Sequence, residues 1–204
     1  MNVALGLKAH SGWAVLVVIG NGGDEFRVID RRRIELVEER DSPWAKQPYH
    51  AAEALASDDA LDVVRRGTEA AYRIAEREMK ATVKRLREQQ HKIAACAVLV
   101  PNPMPKWSVA EILAVHFRMH QAEGLLFPEA LTKAADKCGL NPIAIPEKQL
   151  SEQAEKVLTT PLSGLMQQVM KLGKSVGAPW GKDQKNAALA AMVGLKVTCP
   201  SNVR

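Results

Sequence analysis

The amino-acid sequence predicts an α/β fold, and three observations lead to that prediction. Short apolar runs rich in β-branched residues open the chain, a long stretch rich in Ala, Glu, Arg and Lys follows, and two further apolar runs then alternate with helical segments. Apolar runs bounded by turn residues are typical of strands, and their alternation with helices is typical of a sheet covered by helices. A chain of 204 residues suffices for one sizeable core and is too short for two, so a single domain over residues 1–204 is expected.

The first three strands are predicted from runs at residues 3–7, 13–19 and 26–37. The first two runs are apolar, and the third alternates apolar with charged residues, which is the pattern of a half-buried strand. The Asn-Gly-Gly-Asp segment at 21–24 favours a hairpin turn, because Gly and Asn tolerate positive φ. Asp30 and Arg32 fall on the same predicted face of the third strand as the apolar Val28 and Ile34, so the two either pair with each other or mark a bulge that turns them outward.

Helices and strands alternate in the rest of the sequence. A long helix is predicted from Ser57 to about His91, followed by an unbroken apolar octet at 93–100 that is typical of a strand buried in a parallel sheet. Ser108 and Glu111 form a capping box at the start of the next helix. The remaining predicted elements are a helix from Pro128 to Lys137, a strand at 141–146, and helices at 150–158, 162–172 and 184–195.

Composition and charge restrict the function classes. The three cysteines are far apart, odd in number and without metal-ligand spacing, which predicts neither a disulfide framework nor a cysteine zinc site and favours the cytoplasm. The longest N-terminal apolar run has seven residues, too few to span a bilayer, so no membrane association is expected. The net charge of +5 is concentrated in residues 161–204, where six basic residues stand against one acid, and such an excess can attract phosphates.

One predicted helix carries polar residues on its apolar face. The spacing of Val109 and Ile112 continues to His116, His120 and Glu123. Two histidines at i, i+4 with a carboxylate at i+7 can bind a divalent metal, move protons or form hydrogen bonds within a core. The pattern lacks the glutamate that follows the first histidine in zincin motifs.

Three short motifs, in chain order, resemble those of RuvC-type Holliday-junction resolvases, which belong to the ribonuclease H-like superfamily. These motifs are Gly-Leu-Lys-Ala-His-Ser at residues 6–11, Gln-Ala-Glu-Gly at 121–124 and Asp-Gln-Lys-Asn-Ala at 183–187. The resemblance implies a mixed five-stranded sheet, three antiparallel strands and then two parallel ones, with helices on both faces. It also implies a homodimer.

Most of the carboxylates that the resemblance would require are replaced. The resolvases hold two magnesium ions between acids of the first strand, the fourth strand and the last helix. Here Lys8 stands in the first strand, residues 93–101 contain no acid, and Asn186 stands where the last helix would carry a second acid. Asp183 alone remains, so no two-metal magnesium site and no two-metal nuclease activity are expected.

The implied fold predicts that Lys8, His10, Glu123 and Asp183 converge at one end of the sheet, with His116 or His120 nearby. Lys8 is then expected to pair with Asp183. We consider three hypotheses. The first, which we favour, is that the protein binds nucleic acid or another phosphate ligand without cutting it. The second is that the histidines and acids form a hydrolytic or single-metal centre, with no other cofactor. The third is a structural or assembly role with a degenerate site.

The sequence suggests further binding residues around this end of the sheet. Ser11 and Lys185 lie within the motifs that define it, and Lys182 directly precedes the last motif. His50 and Glu53, at i, i+3, either line the same cleft or form a hydrogen bond at a helix start. Trp180, in a loop rich in Gly and Pro, is expected to be a lid, a stacking residue or, more often for such an indole, a core plug.

Overall fold

A mixed five-stranded sheet forms the centre of the molecule. The structure is a computed structural model that describes residues 1–22 and 25–199, apart from the side chain of Ser42. The strands run β3-β2-β1-β4-β5 across the sheet; β1 pairs antiparallel with β2 and β2 with β3, whereas β1–β4 and β4–β5 are parallel. Their bounds are β1 Asn2–His10, β2 Trp13–Gly22, β3 Glu25–Glu35, β4 Lys92–Val100 and β5 Ile143–Pro146. The predicted sheet is confirmed, while Gly23 and Asp24 of the predicted turn lie outside the described residues.

Helices cover both faces of this sheet, as predicted. Their bounds are α1 Ser42–Ala45, α2 Pro48–Ala52, α3 Ser57–Glu88, α4 Val109–Leu113, α5 His116–Lys137, α6 Leu150–Leu158, α7 Leu162–Val176 and α8 Lys182–Thr198. Helices α3 and α5 bury their apolar sides with Leu5 and Leu7 of β1 in one core. Helices α6, α7 and α8 pack on the opposite face with Ala4 of β1 and Val17 of β2 in a second core.

Strand β1 lies in the middle of the sheet, and its alternation decides which face each residue meets. Leu5 and Leu7 are fully buried toward α3 and α5. Gly6 faces α8 so closely that a Cβ built on it would lie 1.8 Å from the Ala187 carbonyl oxygen. Because successive side chains point to opposite faces, Lys8 and His10 lie on the α8 side with Gly6.

A bulge changes the face of β3 half-way along the strand. The pairing with β2 shifts where Val18 opposes Asp30 and Ile19 opposes Val28. Val28 therefore packs with the α8 core, whereas Ile34 packs with the α3 core, and the prediction that both share a face is wrong.

The charged residues of β3 pair with each other, as in the first alternative; a bulge also precedes them, but it turns their side chains toward α3 and not outward. Asp30 lies 3.5 Å from Arg32, measured from Oδ2 to Nε, and beyond the bulge both side chains face α3. There Asp30 accepts a hydrogen bond from Arg85 at 2.8 Å, and Arg32 donates one to Thr82 at 2.7 Å. Burial by its surroundings lowers the pKa of Arg32.

The helical region after β4 differs from the prediction in its divisions. The capping box of Ser108 and Glu111 is present, but α4 ends at Leu113 and Val115 has extended backbone before α5. Pro128 lies inside α5 and does not begin a helix. The packing of Phe127 and Leu131 in the α3 core explains why the helix continues through it. Among the described residues, no helix has the length and apolar character needed to cross a bilayer.

Candidate functional site

The carboxyl edge of the sheet, where β1, β4 and β5 end, brings together two pairs, each made of a basic side chain and a carboxylate. The Lys8 ammonium binds the carboxylate of Glu147, the first residue after β5. His10 Nε2 lies 3.1 Å from Asp183 Oδ2. This distance is short enough for an ion pair, but the two atoms do not form a hydrogen bond. Asp183 stands in the first turn of α8, where the helix dipole favours a negative charge. We call these four residues the edge cluster.

An aromatic stack extends the edge cluster onto β2. The His10 imidazole lies on the Trp13 indole with 4.3 Å between ring centroids and an interplanar angle of 16°. The Arg33 guanidinium covers the ring from 4.0 Å and is bound to Glu35. The indole is therefore contacted by two groups that carry or can carry positive charge.

Exposed basic residues surround this edge. Lys148 follows Glu147, and Lys182 precedes Asp183. Lys106 lies in the segment that leaves β4 at the same edge, and Ser11 lies in the turn between β1 and β2; all four are exposed. Lys185 is half-buried in the first turns of α8.

Three histidines from two helices form a second group, which we call the histidine cluster: His50, His116 and His120. One ring nitrogen of each lies within 4.8 Å of the others. The Nε2 atoms of His116 and His120 are 3.1 Å apart, and the His50 ring centroid lies 4.6 Å from that of His120. His50 is half-buried, whereas the other two are exposed.

Glu123 supports the histidine cluster from below. Its side chain is only 4% exposed and accepts hydrogen bonds from His50 Nδ1 at 2.7 Å, from the His50 backbone N–H at 3.0 Å and from Gln47 Nε2 at 3.2 Å. Glu53 Oε1 lies 3.5 Å from His116 Nδ1. A buried carboxylate with three donors is fully satisfied, so it holds the start of α2 against α5.

The helices that carry the histidine cluster are fixed by local chemistry and a small core. Pro48 occupies the first turn of α2, where its missing N–H is tolerated. His116 and His120 share one side of α5 because residues four apart lie on the same helix face. Below them Met119, Ala122 and Ile112 form a core of their own, against which Tyr49 packs. Burial raises the pKa of the Tyr49 hydroxyl.

No protein-family model matches the chain, and no curated protein matches it in sequence. Solved structures do match it. The structure of Thermus thermophilus RuvC superposes with a TM-score of 0.51 at 13% identity, over 94% of this chain and 92% of RuvC. The chain has the ribonuclease H-like fold of RuvC. A second structure, T. thermophilus RuvC in complex with Holliday junction substrate, gives 0.51 at 11% identity, over 95% and 92%.

The RuvC-like fold does not bring the predicted residues to one place. Glu123 was expected beside Lys8 and Asp183, but α5 packs on the sheet face opposite to α8, and no ion pair or hydrogen bond among the described residues joins the two clusters. Lys8 binds Glu147 in place of the expected Asp183. His10, two residues closer to the strand end, lies against Asp183.

Other predicted residues have clear positions in the RuvC-like fold. His50 belongs to the histidine cluster, and Glu53 lies beside His116 of that cluster. Neither residue forms an ion pair with the edge cluster. Trp180 is a core plug: its indole packs on Gly173 and donates a hydrogen bond to the Val169 carbonyl at 3.0 Å. Cys96 is wholly buried, and desolvation raises the pKa of its thiol to about 12, so it is no thiolate ligand.

The sequence prediction missed Glu147. This acid follows Pro146 at the carboxyl end of β5, and the first residue after a parallel strand is a common place for functional side chains in α/β sheets. That position was the available signal.

Proposed function

We propose that this protein binds nucleic acid through phosphates at the carboxyl edge of its sheet and does not cut it by two-metal catalysis. The observation that carries the proposal is that a basic side chain of β1 lies beside each of the two edge carboxylates. Lys8 holds Glu147, and His10 lies against Asp183.

The edge cluster is a poor fit to a pair of magnesium ions. Mg²⁺ requires oxygen ligands in near-octahedral geometry, and two-metal hydrolysis requires carboxylates that bridge or flank both ions. Here an ammonium and an imidazole occupy the space beside the two carboxylates. The Lys8 ammonium and the His10 imidazole can donate hydrogen bonds to a phosphate, which favours recognition of the phosphate over activation of water for its hydrolysis.

The surroundings of the edge cluster support a nucleic acid as the ligand. Lys106, Lys148 and Lys182 are exposed around it and can contact successive phosphates. The structural neighbour RuvC was solved in complex with Holliday junction substrate, and this complex supports a nucleic acid as the ligand.

The test compares fluorescence anisotropy of labelled single-stranded, duplex and four-way-junction DNA at about 50 mM and about 200 mM salt. We expect affinity to fall steeply with salt. The double variant Lys148→Glu/Lys182→Glu should bind at least about tenfold more weakly at low salt, with a salt slope smaller by about two. The matched control Lys84→Glu reverses a charge that is 79% exposed on α3, near the opposite edge, and should change affinity less than about twofold.

Two results would contradict the proposal. The edge would not be the nucleic-acid site if the protein did not bind DNA, or if Lys84→Glu reduced the affinity as much as Lys148→Glu/Lys182→Glu does. Cleavage of labelled junction DNA that requires Mg²⁺ and is abolished by Asp183→Asn would show that the protein does use metal-dependent catalysis.

The homodimer and the cytoplasmic location expected from the sequence stay predictions. Multi-angle light scattering of the purified chain with and without DNA measures the first.

A further inference from the structure

We propose that the histidine cluster is a mononuclear site for a first-row divalent cation, most suitably Zn²⁺, with three imidazole ligands and one open coordination position. Among the described residues, no hydrogen bond or ion pair joins this site to the edge cluster. The proposal does not depend on nucleic-acid binding.

The distances fit an ion between the three rings. Ligand nitrogens of a tetrahedral zinc ion with bonds of about 2.0–2.1 Å stand about 3.3 Å apart. The Nε2 atoms of His116 and His120 are 3.1 Å apart, and one ring nitrogen of each of the three histidines lies within 4.8 Å of a ring nitrogen of the other two. A small rotation of the exposed rings of His116 and His120 therefore completes a three-nitrogen face.

Hydrogen bonds orient the rings for this role. Glu123 accepts from His50 Nδ1 at 2.7 Å, so that nitrogen carries the proton and Nε2 keeps its lone pair for the ion. His116 shows the same arrangement in weaker form, since Glu53 lies 3.5 Å from its Nδ1 while its Nε2 faces His120. A carboxylate behind a metal-binding imidazole fixes its tautomer and raises its basicity.

The histidine cluster rests on buried residues on one side and is open to solvent on the other. Glu123 and Met119 are buried beneath the cluster, whereas His116 and His120 are exposed above it. The described residues provide three imidazoles for the ion and leave its fourth position to solvent. Three protein ligands with an open position are the pattern of catalytic zinc sites, in which a bound water is activated.

Zinc binding to the full chain, stripped with EDTA and dialysed, can be measured by equilibrium dialysis with elemental analysis. We expect one zinc ion per chain. His50→Ala, His116→Ala and His120→Ala should each weaken binding at least tenfold. Glu123→Gln, which keeps the size of the positioning residue, should weaken it about 10- to 100-fold. The control His91→Ala removes a half-buried histidine outside the cluster and should leave affinity unchanged.

Two results would overturn the proposal. The first is the absence of stoichiometric zinc. The second is an unchanged affinity in His50→Ala, which would mean that the exposed i, i+4 pair binds zinc alone. If His50→Ala fails to fold, the absorption spectrum of the Co²⁺-loaded wild type decides: intense bands indicate the expected four-coordinate ion, and weak bands indicate a hydrated six-coordinate ion that contradicts it.

DNA binding measured in EDTA is unaffected by either outcome. Failure of the metal site is therefore distinguishable from failure of the proposed function.

Discussion

At the scale of single residues, Glu123 is the most deeply buried charged side chain among the described residues. It is 4% exposed and accepts hydrogen bonds from Gln47 and from two groups of His50, which lie more than 70 positions earlier in the chain. A buried charge is tolerated only with such partners, because desolvation of an unpaired carboxylate is very costly.

Removal of this carboxylate should destabilise the protein strongly. Glu123→Ala leaves the buried backbone N–H of His50 without an acceptor, so we expect the free energy of unfolding to fall by about 2–4 kcal/mol. Glu129→Ala, at an exposed position of the same helix, should cost less than about 0.5 kcal/mol. Urea denaturation followed by circular dichroism measures both variants, and equal losses would show that the Glu123 network contributes nothing.

At the scale of elements, the contact between β1 and α8 positions the edge cluster. Gly6 lets the helix backbone approach the strand, and the same approach brings Asp183 in the first turn of α8 within 3.1 Å of His10. The small residues Ala187 and Ala191 continue this close packing along the helix.

A methyl group at position 6 should force these elements apart. The Cβ of Gly6→Ala would meet backbone atoms of α8, which cannot rotate away, so we expect a loss of about 3 kcal/mol or more. Gly124→Ala is the matched control, since no atom lies within 4 Å of its Cβ and alanine favours a helix. The control should gain about 0.5–1 kcal/mol. Thermal melts compare the two, and a Gly6→Ala variant as stable as wild type would contradict the close approach.

At the scale of the whole molecule, one sheet serves two cores. Leu5 belongs to the core under α3 and α5, and its neighbour Ala4 belongs to the core under α8. Neither core can be lost without exposing a face of the same strand, so the two should be coupled.

We therefore expect residues 1–204 to unfold in a single transition. Scanning calorimetry should give equal calorimetric and van't Hoff enthalpies, and melts followed by far-ultraviolet circular dichroism and by tryptophan fluorescence should coincide. Two separated transitions would contradict the prediction of one domain.

The fold was more predictable from sequence than the site was. Strands and helices follow from local patterns, such as the apolar octet of β4 and the capping box of Ser108 and Glu111. The i, i+4 spacing likewise indicated that His116 and His120 share a face. No local pattern connects them to His50, which joins them only through the packing of α2 on α5.

The partners of Lys8 and His10 depended on long-range geometry. The strand predicted at residues 3–7 left both in the turn that follows, whereas β1 extends to His10 and includes them. Which acid each one meets depends on where β5 ends and how far α8 reaches. A lone acid such as Glu147 carries no periodic signal. The bulge in β3 was similarly hidden, because it is defined by pairing with β2.

Because side chains alternate between the two faces along β1, the edge cluster depends on the number of residues in this strand as well as on their identity. A change of residue at position 8 or 10 alters one contact, whereas deletion of one residue after Gly6 would turn every later side chain of the strand to the opposite face. Lys8 and His10 would then point into the apolar core beneath α3 and α5. Insertions and deletions should accordingly be tolerated less in this strand than at the exposed residues Asn102 and Pro103 of the irregular segment that follows β4.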